Sequence, residues 1–253
     1  MSGEAELPTP EQVAAAARGA ATHAGEPPAG GAGKLNWLRA GVLGADDGIV
    51  SVAGIVIGVA GANMSRGAIF TAGLAGLVAG AVSMALGEYV SVSSQRDSES
   101  AQLLQERREL TEDPTEELAE LTAIYEARGL SAATARTVAE ELTAHDAFAA
   151  HAEAELHISP EDLASPVQAA GASALSFTVG ALLPLLAILL PPASWRVPVT
   201  FVAVLAALAL TGSVSARIGG SNPRRAVLRV VIGGAAGLAL TYGIGHLFGT
   251  AIH

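Results

Sequence analysis

The chain has no acidic residue from Leu163 to its end at His253. All 24 Asp and Glu residues precede this segment, and 17 of them lie between Asp97 and Asp162. A water-exposed domain needs charges of both signs spread over its surface. The C-terminal part therefore cannot be an ordinary soluble fold. With 51% apolar residues and a mean hydropathy of +0.44, the sequence predicts a membrane domain joined to an acidic soluble part.

Five apolar segments are long enough to form membrane-spanning helices, each of which requires about 20 residues. Glycine pairs with a spacing of four residues predict close helix packing in three of them, at Gly54 and Gly58, Gly76 and Gly80, and Gly233 and Gly237. Pro184 is predicted to kink the third. The five predicted spans cover residues 37–63, 68–93, 167–190, 197–214 and 227–248.

The acidic stretch between the second and third spans has a helical pattern throughout. Asp113-Pro-Thr-Glu116 is a capping box that ends one long helix and begins the next, which Gly129 closes. Ser131 caps another helix to about Thr143, and a last helix covers residues 145–156. The predicted fold is an all-α membrane protein with five transmembrane helices and a cytoplasmic helical insert between helices 2 and 3. The predicted parts are a flexible tail (1–35), helices 1 and 2 (36–94), the insert (95–165) and helices 3 to 5 (166–253).

Charge distribution predicts the orientation and restricts the function. Twelve of the 14 basic residues lie in the tail, the insert and the fourth connection, so the positive-inside rule places the N-terminus and insert in the cytoplasm and the C-terminus outside. A net charge of −10 suits cations and argues against nucleic acid or an anionic membrane surface as the main partner. The absence of Cys excludes disulfides and thiolate ligands. No catalytic or cofactor-binding motif is present, so neither an enzyme nor a prosthetic group is expected.

Four residues in the first two spans are candidates for a transport path. Asp46 and Asp47 lie two to three turns inside the first helix, where a carboxylate is costly and is usually retained for transport or proton relay. The alternative places them in water at the mouth of the helix. Met84 and Glu88 share a face of the second helix, and a thioether beside carboxylates suits a first-row divalent ion. Alternatively, Met84 is a packing residue and Glu88 lies at headgroup level.

Carboxylates in the insert form a second candidate site. Glu106 and Glu109 precede the Asp113 turn, and Glu117 and Glu120 follow it with the same spacing. When the two helices fold back at that turn, the pairs face each other, and four carboxylates repel unless a cation joins them. Oxygen ligands suit Fe²⁺, Mn²⁺, Mg²⁺ or Ca²⁺. The alternative is a solvated acidic face whose repulsion Arg107 and Arg108 reduce.

Histidines on the last insert helix add nitrogen donors. His151 with Glu155, and Glu153 with His157, have the i,i+4 spacing that lets both side chains reach one ion. Nitrogen ligands shift the preference towards transition metals. The alternative is that two of the three histidines are surface residues and that His145-Asp146 forms a helix start.

Together these motifs resemble the vacuolar iron transporter family of divalent-metal/proton antiporters. The resemblance runs from about Leu38 to the C-terminus, and three features carry it: Gly44-Ala-Asp-Asp-Gly-Ile-Val-Ser51, Gly80-Ala-Val-Ser-Met-Ala-Leu-Gly-Glu-Tyr-Val-Ser91 and the spacing of the four insert glutamates. It implies a five-helix homodimer with its ion path at the dimer interface. It also implies a cytoplasmic metal-binding domain and export of Fe²⁺ or similar ions from the cytosol in exchange for protons.

The resemblance also implies roles for particular residues. The membrane aspartate of the family falls on Asp47, and its methionine falls on Met84. The insert ligands fall on Glu106, Glu109, Glu117, Glu120 and Glu155. Where plant members carry a metal-binding Met one turn before the last glutamate, this chain has His151, a ligand that Fe²⁺ and Mn²⁺ also accept.

Two other functions fit the same residues. A membrane-anchored metal sensor or buffer would need only the insert, although an anchor does not require an intramembrane Asp47. A passive metal channel would differ only in lacking proton coupling. The sequence analysis favours a proton-coupled exporter of Fe²⁺, with Mn²⁺ or other first-row ions as further substrates, in the plasma membrane of a bacterium.

Overall fold

A computed structural model describes residues 31–161 and 163–251, with side chains from residue 41 to residue 249 apart from residue 162. Residues 1–30 of the predicted tail lie outside the described part. Within the described residues the secondary structure consists of seven helices and includes no strand. The helices are α1 (Gly31–Gly61), α2 (Arg66–Glu112), α3 (Pro114–Ala127), α4 (Ala132–Ala154), α5 (Pro166–Leu189), α6 (Arg196–Ile218) and α7 (Pro223–Ala251).

Five of these helices, α1, α2, α5, α6 and α7, are long and apolar enough to cross a bilayer. The prediction of an all-helical membrane protein with five spans is confirmed. Large apolar side chains such as Val78, Leu175 and Leu240 are exposed on the outside of the bundle. That exposure is expected where the surrounding solvent is lipid.

Helix α2 extends from the membrane bundle into the acidic insert without interruption. It contains 47 residues and starts at a cap in which Ser65 Oγ accepts a hydrogen bond from the Ala68 amide at 3.2 Å. At 1.5 Å per residue it is about 70 Å long, more than twice the thickness of a hydrocarbon core. Its apolar first half is long and apolar enough to cross a membrane, and its acidic second half packs with the two helices that follow.

Glycines allow the membrane helices to approach each other backbone to backbone. A side chain added at Gly48 of α1 would clash with the Phe177 carbonyl of α5, and one added at Gly180 would clash with the Ala45 carbonyl. The pair Gly54 and Gly58 contacts Thr241 of α7, as the four-residue spacing predicts. By contrast, an added side chain at Gly233 or Gly237 would meet no atom of the described chain within 4 Å.

We expect the Gly180→Ala substitution to destabilise the bundle by about 1–3 kcal/mol, the usual cost of forcing extra volume into a packed core. The added methyl group meets backbone atoms, which cannot rotate out of the way. Thermal unfolding in detergent, followed by size-exclusion chromatography, measures the effect. Gly171→Ala on the same helix is the matched control, because open space surrounds that position and alanine favours a helix. Equal melting temperatures for the two variants would contradict this account of the packing.

The second half of α2, together with α3 and α4, forms the helical insert. Asp113 Oδ1 accepts a hydrogen bond from the Glu116 amide at 3.3 Å, which confirms the predicted start of α3. Gly129 ends the following turn with φ of +101°, a conformation that a side chain would strain. Buried Leu121, Ala139 and Ala154 hold α3 against α4. The small alanine side chains let the helices pack closely.

Helix α4 is bent at Asp146, whose backbone has non-helical angles (φ −159°, ψ 95°). Asp146 Oδ1 accepts a hydrogen bond from the Ala149 amide at 2.9 Å and so starts a new helical segment. The sequence places a helix boundary at nearly the same position, between Thr143 and His145. The bend gives the final turns of α4, which carry His151 and lead directly to Glu155, their own direction.

Candidate metal site

His151 is fully buried where three helices of the insert meet. Its Nδ1 atom lies 3.0 Å from Glu106 Oε1 of α2, 3.4 Å from Glu117 Oε2 of α3 and 3.5 Å from Oε2 of Glu155, one turn along. Glu106 is 2% exposed and Glu117 is 7% exposed. Three carboxylates and one imidazole therefore converge on one point inside a small helical unit.

The polar atoms of this cluster lack the hydrogen bonds that burial normally demands. Although His151 Nδ1 and Glu106 Oε1 are close enough for an ion pair, neither atom forms a hydrogen bond of normal geometry among the described residues, and the same holds for His151 Nε2 and Glu155 Oε2. Ligand atoms of Glu106, Glu117 and His151 all lie within 4.8 Å of one another. Buried polar atoms without partners are costly, and a cation placed among them would satisfy several at once. The donor set of carboxylate oxygens with one imidazole suits a first-row divalent ion.

Burial, helped by the nearby carboxylates, raises the proton affinity of Glu106 and Glu117. Burial, then the charges of Glu155, Glu117, Glu109 and Glu120, raise the pKa of Glu106 from 4.5 to about 7. Burial also raises the pKa of Glu117, although His151 opposes that change. The neighbouring carboxylates add to both increases. Glu106 is therefore partly protonated near neutral pH, and a metal ion must displace that proton in order to bind this carboxylate.

An open cavity of about 450 Å³ adjoins the buried cluster, and acidic side chains line it. Glu109 and Glu120, both predicted as ligands, lie in its wall beside Glu117 and Glu155. They do not reach His151 as the buried carboxylates do. The structure thus separates the six predicted insert ligands into a buried group and a rim that faces the solvent. The buried group is Glu106, Glu117, His151 and Glu155, and the rim is Glu109 and Glu120.

Sequence reasoning missed several other residues of the same cavity. Glu112, Asp113 and Glu116 line it together with Gln105, whose amide donates a hydrogen bond to Glu109 Oε1 at 2.9 Å. Helical spacing from the predicted ligands could have indicated two of them. Glu112 is three residues after Glu109, and Glu116 is four residues before Glu120. These residues enlarge the negative field at the mouth of the site.

The other predicted histidines do not join the cluster. His157 is exposed, and its ring Nδ1 lies 3.1 Å from the backbone oxygen of Glu153 rather than from its carboxylate. His145 is also exposed, and the adjacent Asp146 starts a helical segment. Of the predicted i,i+4 pairs, only His151 with Glu155 places both side chains at one point.

The arginines that could neutralise an acidic face point elsewhere. The Arg107 guanidinium lies over the Phe148 ring, 4.6 Å from its centre. Arg108 donates a hydrogen bond from Nε to the Leu104 carbonyl at 3.2 Å. Within the described residues neither side chain forms an ion pair with the cluster. These arginines therefore do not neutralise the carboxylates, and another cation could do so.

The predicted transport-path residues occupy different environments in the membrane bundle. Asp47 is exposed on the surface of the chain, where Ser51 Oγ donates a hydrogen bond of 2.7 Å to its Oδ1 atom. Asp46 is half-buried beside Thr211 of α6, and its Oδ1 atom has no hydrogen-bond partner among the described residues. Met84 packs against the apolar core, and Glu88 is half-buried one turn further along α2. The two adjacent aspartates thus face different surroundings.

Five membrane helices joined to a buried carboxylate and histidine cluster define an integral membrane protein with a site suited to a divalent cation. Comparison with known proteins shows the protein family to which the chain belongs. The chain belongs to the VIT family, whose model matches residues 38–246. This membership confirms the resemblance found from the sequence. The relatives are named as transporters, and the chain is accordingly a transporter rather than an enzyme.

Individual relatives cover most of the chain. The vacuolar iron transporter of Acanthamoeba castellanii is 45% identical over 216 residues, which is 85% of this chain and 80% of that protein. Vacuolar iron transporter homolog 1 of Oryza sativa is 40% identical over 217 residues, covering 85% and 75%. Vacuolar iron transporter homolog 2.1 of Arabidopsis thaliana is 37% identical over 219 residues, covering 86% and 84%. The match includes both the membrane helices and the insert.

Proposed function

We propose that the protein exports Fe²⁺ from the cytosol in exchange for protons, with Mn²⁺ and other first-row divalent ions as further substrates. The observation that carries the proposal is the buried cluster around His151, whose unpartnered polar atoms suit a cation. The VIT family match and the names of the relatives support iron as the substrate.

In this mechanism the insert collects the ion. The acidic rim attracts M²⁺ into the open cavity, and Glu106, Glu117, Glu155 and His151 bind it, with Glu106 giving up its proton. A first-row ion accepts imidazole nitrogen more readily than Mg²⁺ does. The insert thereby concentrates transition metals from a cytosol that contains much more magnesium.

The second station of the proposed path lies in the membrane and uses two copies of the chain. Asp47 and Met84 form it, with Asp46 and Glu88 as entry ligands. Asp47 lies at the surface of one chain, where a two-fold partner could place a second carboxylate beside it. A homodimer would double every ligand, so one Asp and one Met from each chain suffice. Protons from the outer side then neutralise Asp47 and release the ion.

The proposed orientation has the N-terminus and the insert in the cytoplasm, and the C-terminus outside, as the arginine distribution predicts. The proposed location is the plasma membrane of a bacterium. The word vacuolar in the names of the relatives describes those proteins. Membrane fractionation tests the location, and cysteines added at residues 140 and 193, labelled with an impermeant reagent, test the orientation.

Purified protein in proteoliposomes tests the function. With an outward-facing insert and an acidic lumen, we expect Fe²⁺ to enter the vesicles as their internal pH rises. Metal movement with no change in pH would indicate the passive channel. Metal binding with no flux would indicate the membrane-anchored sensor. Both results would contradict the proposed exchange.

We expect His151→Gln to reduce discrimination between Mn²⁺ and Mg²⁺ by about tenfold or more, because it replaces the only nitrogen ligand of the buried cluster with a weaker neutral donor. Competition titrations on the full-length protein in detergent measure the ratio of the two affinities. His157→Gln is the matched control, since that ring is exposed and contacts only a backbone oxygen. An unchanged ratio in His151→Gln would remove the imidazole from the ligand set.

A further inference from the structure

The connection between α6 and α7 concentrates positive charge that the protein does not neutralise. Arg217 lies in the last turn of α6, Arg224 and Arg225 lie in the first turn of α7, and Arg229 follows one turn later. All four are exposed, and within the described residues none forms an ion pair. No Asp or Glu occurs anywhere in the sequence after residue 162. An anionic partner therefore meets no competing carboxylate on these two helices.

A groove of about 380 Å³ starts at these arginines and continues along the helices with apolar walls. Arg224 lines it at the charged end, and Val227, Leu228 and Val231 of α7 line it further along. These four positions have the i, i+3, i+4, i+7 spacing of one helix face. Ser213 of α6 forms the opposite wall, and Arg217 lies one turn beyond Ser213 on the same face. Arg224 of α7 thus lines one end of the groove, and Arg217 lies one helical turn past its α6 wall.

The two ends of the groove lie at the levels of the bilayer that a phospholipid headgroup and its acyl chain occupy. Both helices are long enough to cross a bilayer, and the arginines lie at their ends, where phospholipid headgroups lie. Val231 is about 10 Å along α7 from Arg224, within the hydrocarbon region. Leu228, 60% exposed, faces outward between these two levels.

We propose that this groove binds one anionic phospholipid, with its phosphate between Arg217 and Arg224 and an acyl chain along Val227, Leu228 and Val231. The charged end matches a phosphate, since a guanidinium binds phosphate oxygens in a bidentate manner. The apolar walls match an acyl chain and give no reason for a free phosphate or an acidic peptide to bind there. This inference does not depend on which ion the protein moves.

Native mass spectrometry of the full-length protein, delipidated in detergent, tests the proposal with phosphatidylglycerol and phosphatidylcholine as probes. We expect one phosphatidylglycerol to stay bound per chain, and phosphatidylcholine to bind at least tenfold more weakly. Arg224→Gln should weaken phosphatidylglycerol binding about fivefold, and Arg217→Gln with Arg224→Gln about thirtyfold, the usual contribution of an arginine to binding anionic lipid. Both residues are exposed, so folding should be unaffected; size-exclusion chromatography checks this.

Matched controls separate a specific site from general positive charge. Arg96→Gln removes one exposed arginine from α2 and should leave binding unchanged. Leu228→Ser should weaken the binding of long-chain phosphatidylglycerol without changing the arginines. Equal losses in Arg96→Gln and Arg224→Gln would overturn the proposal, as would equal binding of the two lipids. Displacement of the lipid by millimolar inorganic phosphate would also overturn it, because the site would then recognise only an anion.

Discussion

The Asp47→Asn variant is expected to lose metal-coupled proton movement by at least about a hundredfold while its insert still binds metal. Breaking a charge pair in a medium of low polarity costs about 3–5 kcal/mol, which corresponds to that factor or more. Asparagine keeps the size of the side chain and the hydrogen bond from Ser51, but it has no negative charge to pair with a cation and it does not accept a proton. Simultaneous recording of Fe²⁺ entry and vesicle pH in proteoliposomes measures the loss.

Two neighbouring substitutions provide controls for the Asp47 prediction. Ser51→Ala removes only the hydrogen bond to Asp47 and should reduce the rate severalfold at most. Asp46→Asn changes the adjacent carboxylate, which lies beside Thr211 instead of at the surface of the chain, and should reduce transport less than Asp47→Asn does. If Asp47→Asn still exchanges metal for protons at the rate of the unmodified protein, the proposed membrane station is wrong.

The Glu106→Gln variant is expected to stabilise the metal-free insert at neutral pH and to weaken its metal binding. The folded insert holds the Glu106 proton up to a pKa of about 7, compared with 4.5 for an ordinary glutamate. The metal-free fold therefore loses stability as pH rises between these two values, by up to about 3 kcal/mol. Glutamine cannot ionise, so the variant does not lose the stability that ionisation of Glu106 costs the metal-free fold as pH rises.

Hydrogen exchange of the amides in α3 and α4 measures the effect in the full-length protein, with chelator present and intrinsic exchange rates corrected for pH. With chelator present, protection should fall from pH 5 to pH 7.5 in the unmodified insert, and Mn²⁺ added in excess of the chelator should restore it. Glu153→Gln, exposed on the same helix as His151, should behave like the unmodified protein. A Glu106→Gln variant with unchanged metal affinity would show that this carboxylate is not a ligand.

Most of the fold could be predicted because local signals in the sequence coincide with the final structure. Asp113 and Gly129 act as a helix cap and a turn through their own backbone geometry, which depends little on distant residues. The five spans follow from hydropathy alone, since lipid requires each helix to satisfy its backbone internally. The sequence could not predict which helices pack against each other. Gly48 and Gly180 belong to the same close crossing, yet no local pattern connects α1 with α5.

The candidate site was predicted less completely for the same reason. Helical spacing brings together residues on one face, and so it pairs His151 with Glu155. It cannot say that Glu106 and Glu117 approach His151 while Glu109 and Glu120 remain on the rim, because that depends on how three helices pack. The spacing of His157 after Glu153 is equally suitable, but a turn with φ of 55° directs its ring towards a backbone oxygen.

The continuity of α2 has a mechanical consequence. Met84 and Glu106 lie on one unbroken helix, 22 residues and thus about 33 Å apart. A rigid rod of that length converts a rotation of about 5° near Met84 into a displacement of about 3 Å at Glu106, longer than a typical metal–oxygen bond. A change in the tilt of α2 near Met84 would therefore move Glu106 relative to any part of the insert that does not follow the helix. The continuous helix thus gives the proposed membrane station and the proposed insert site one shared structural element.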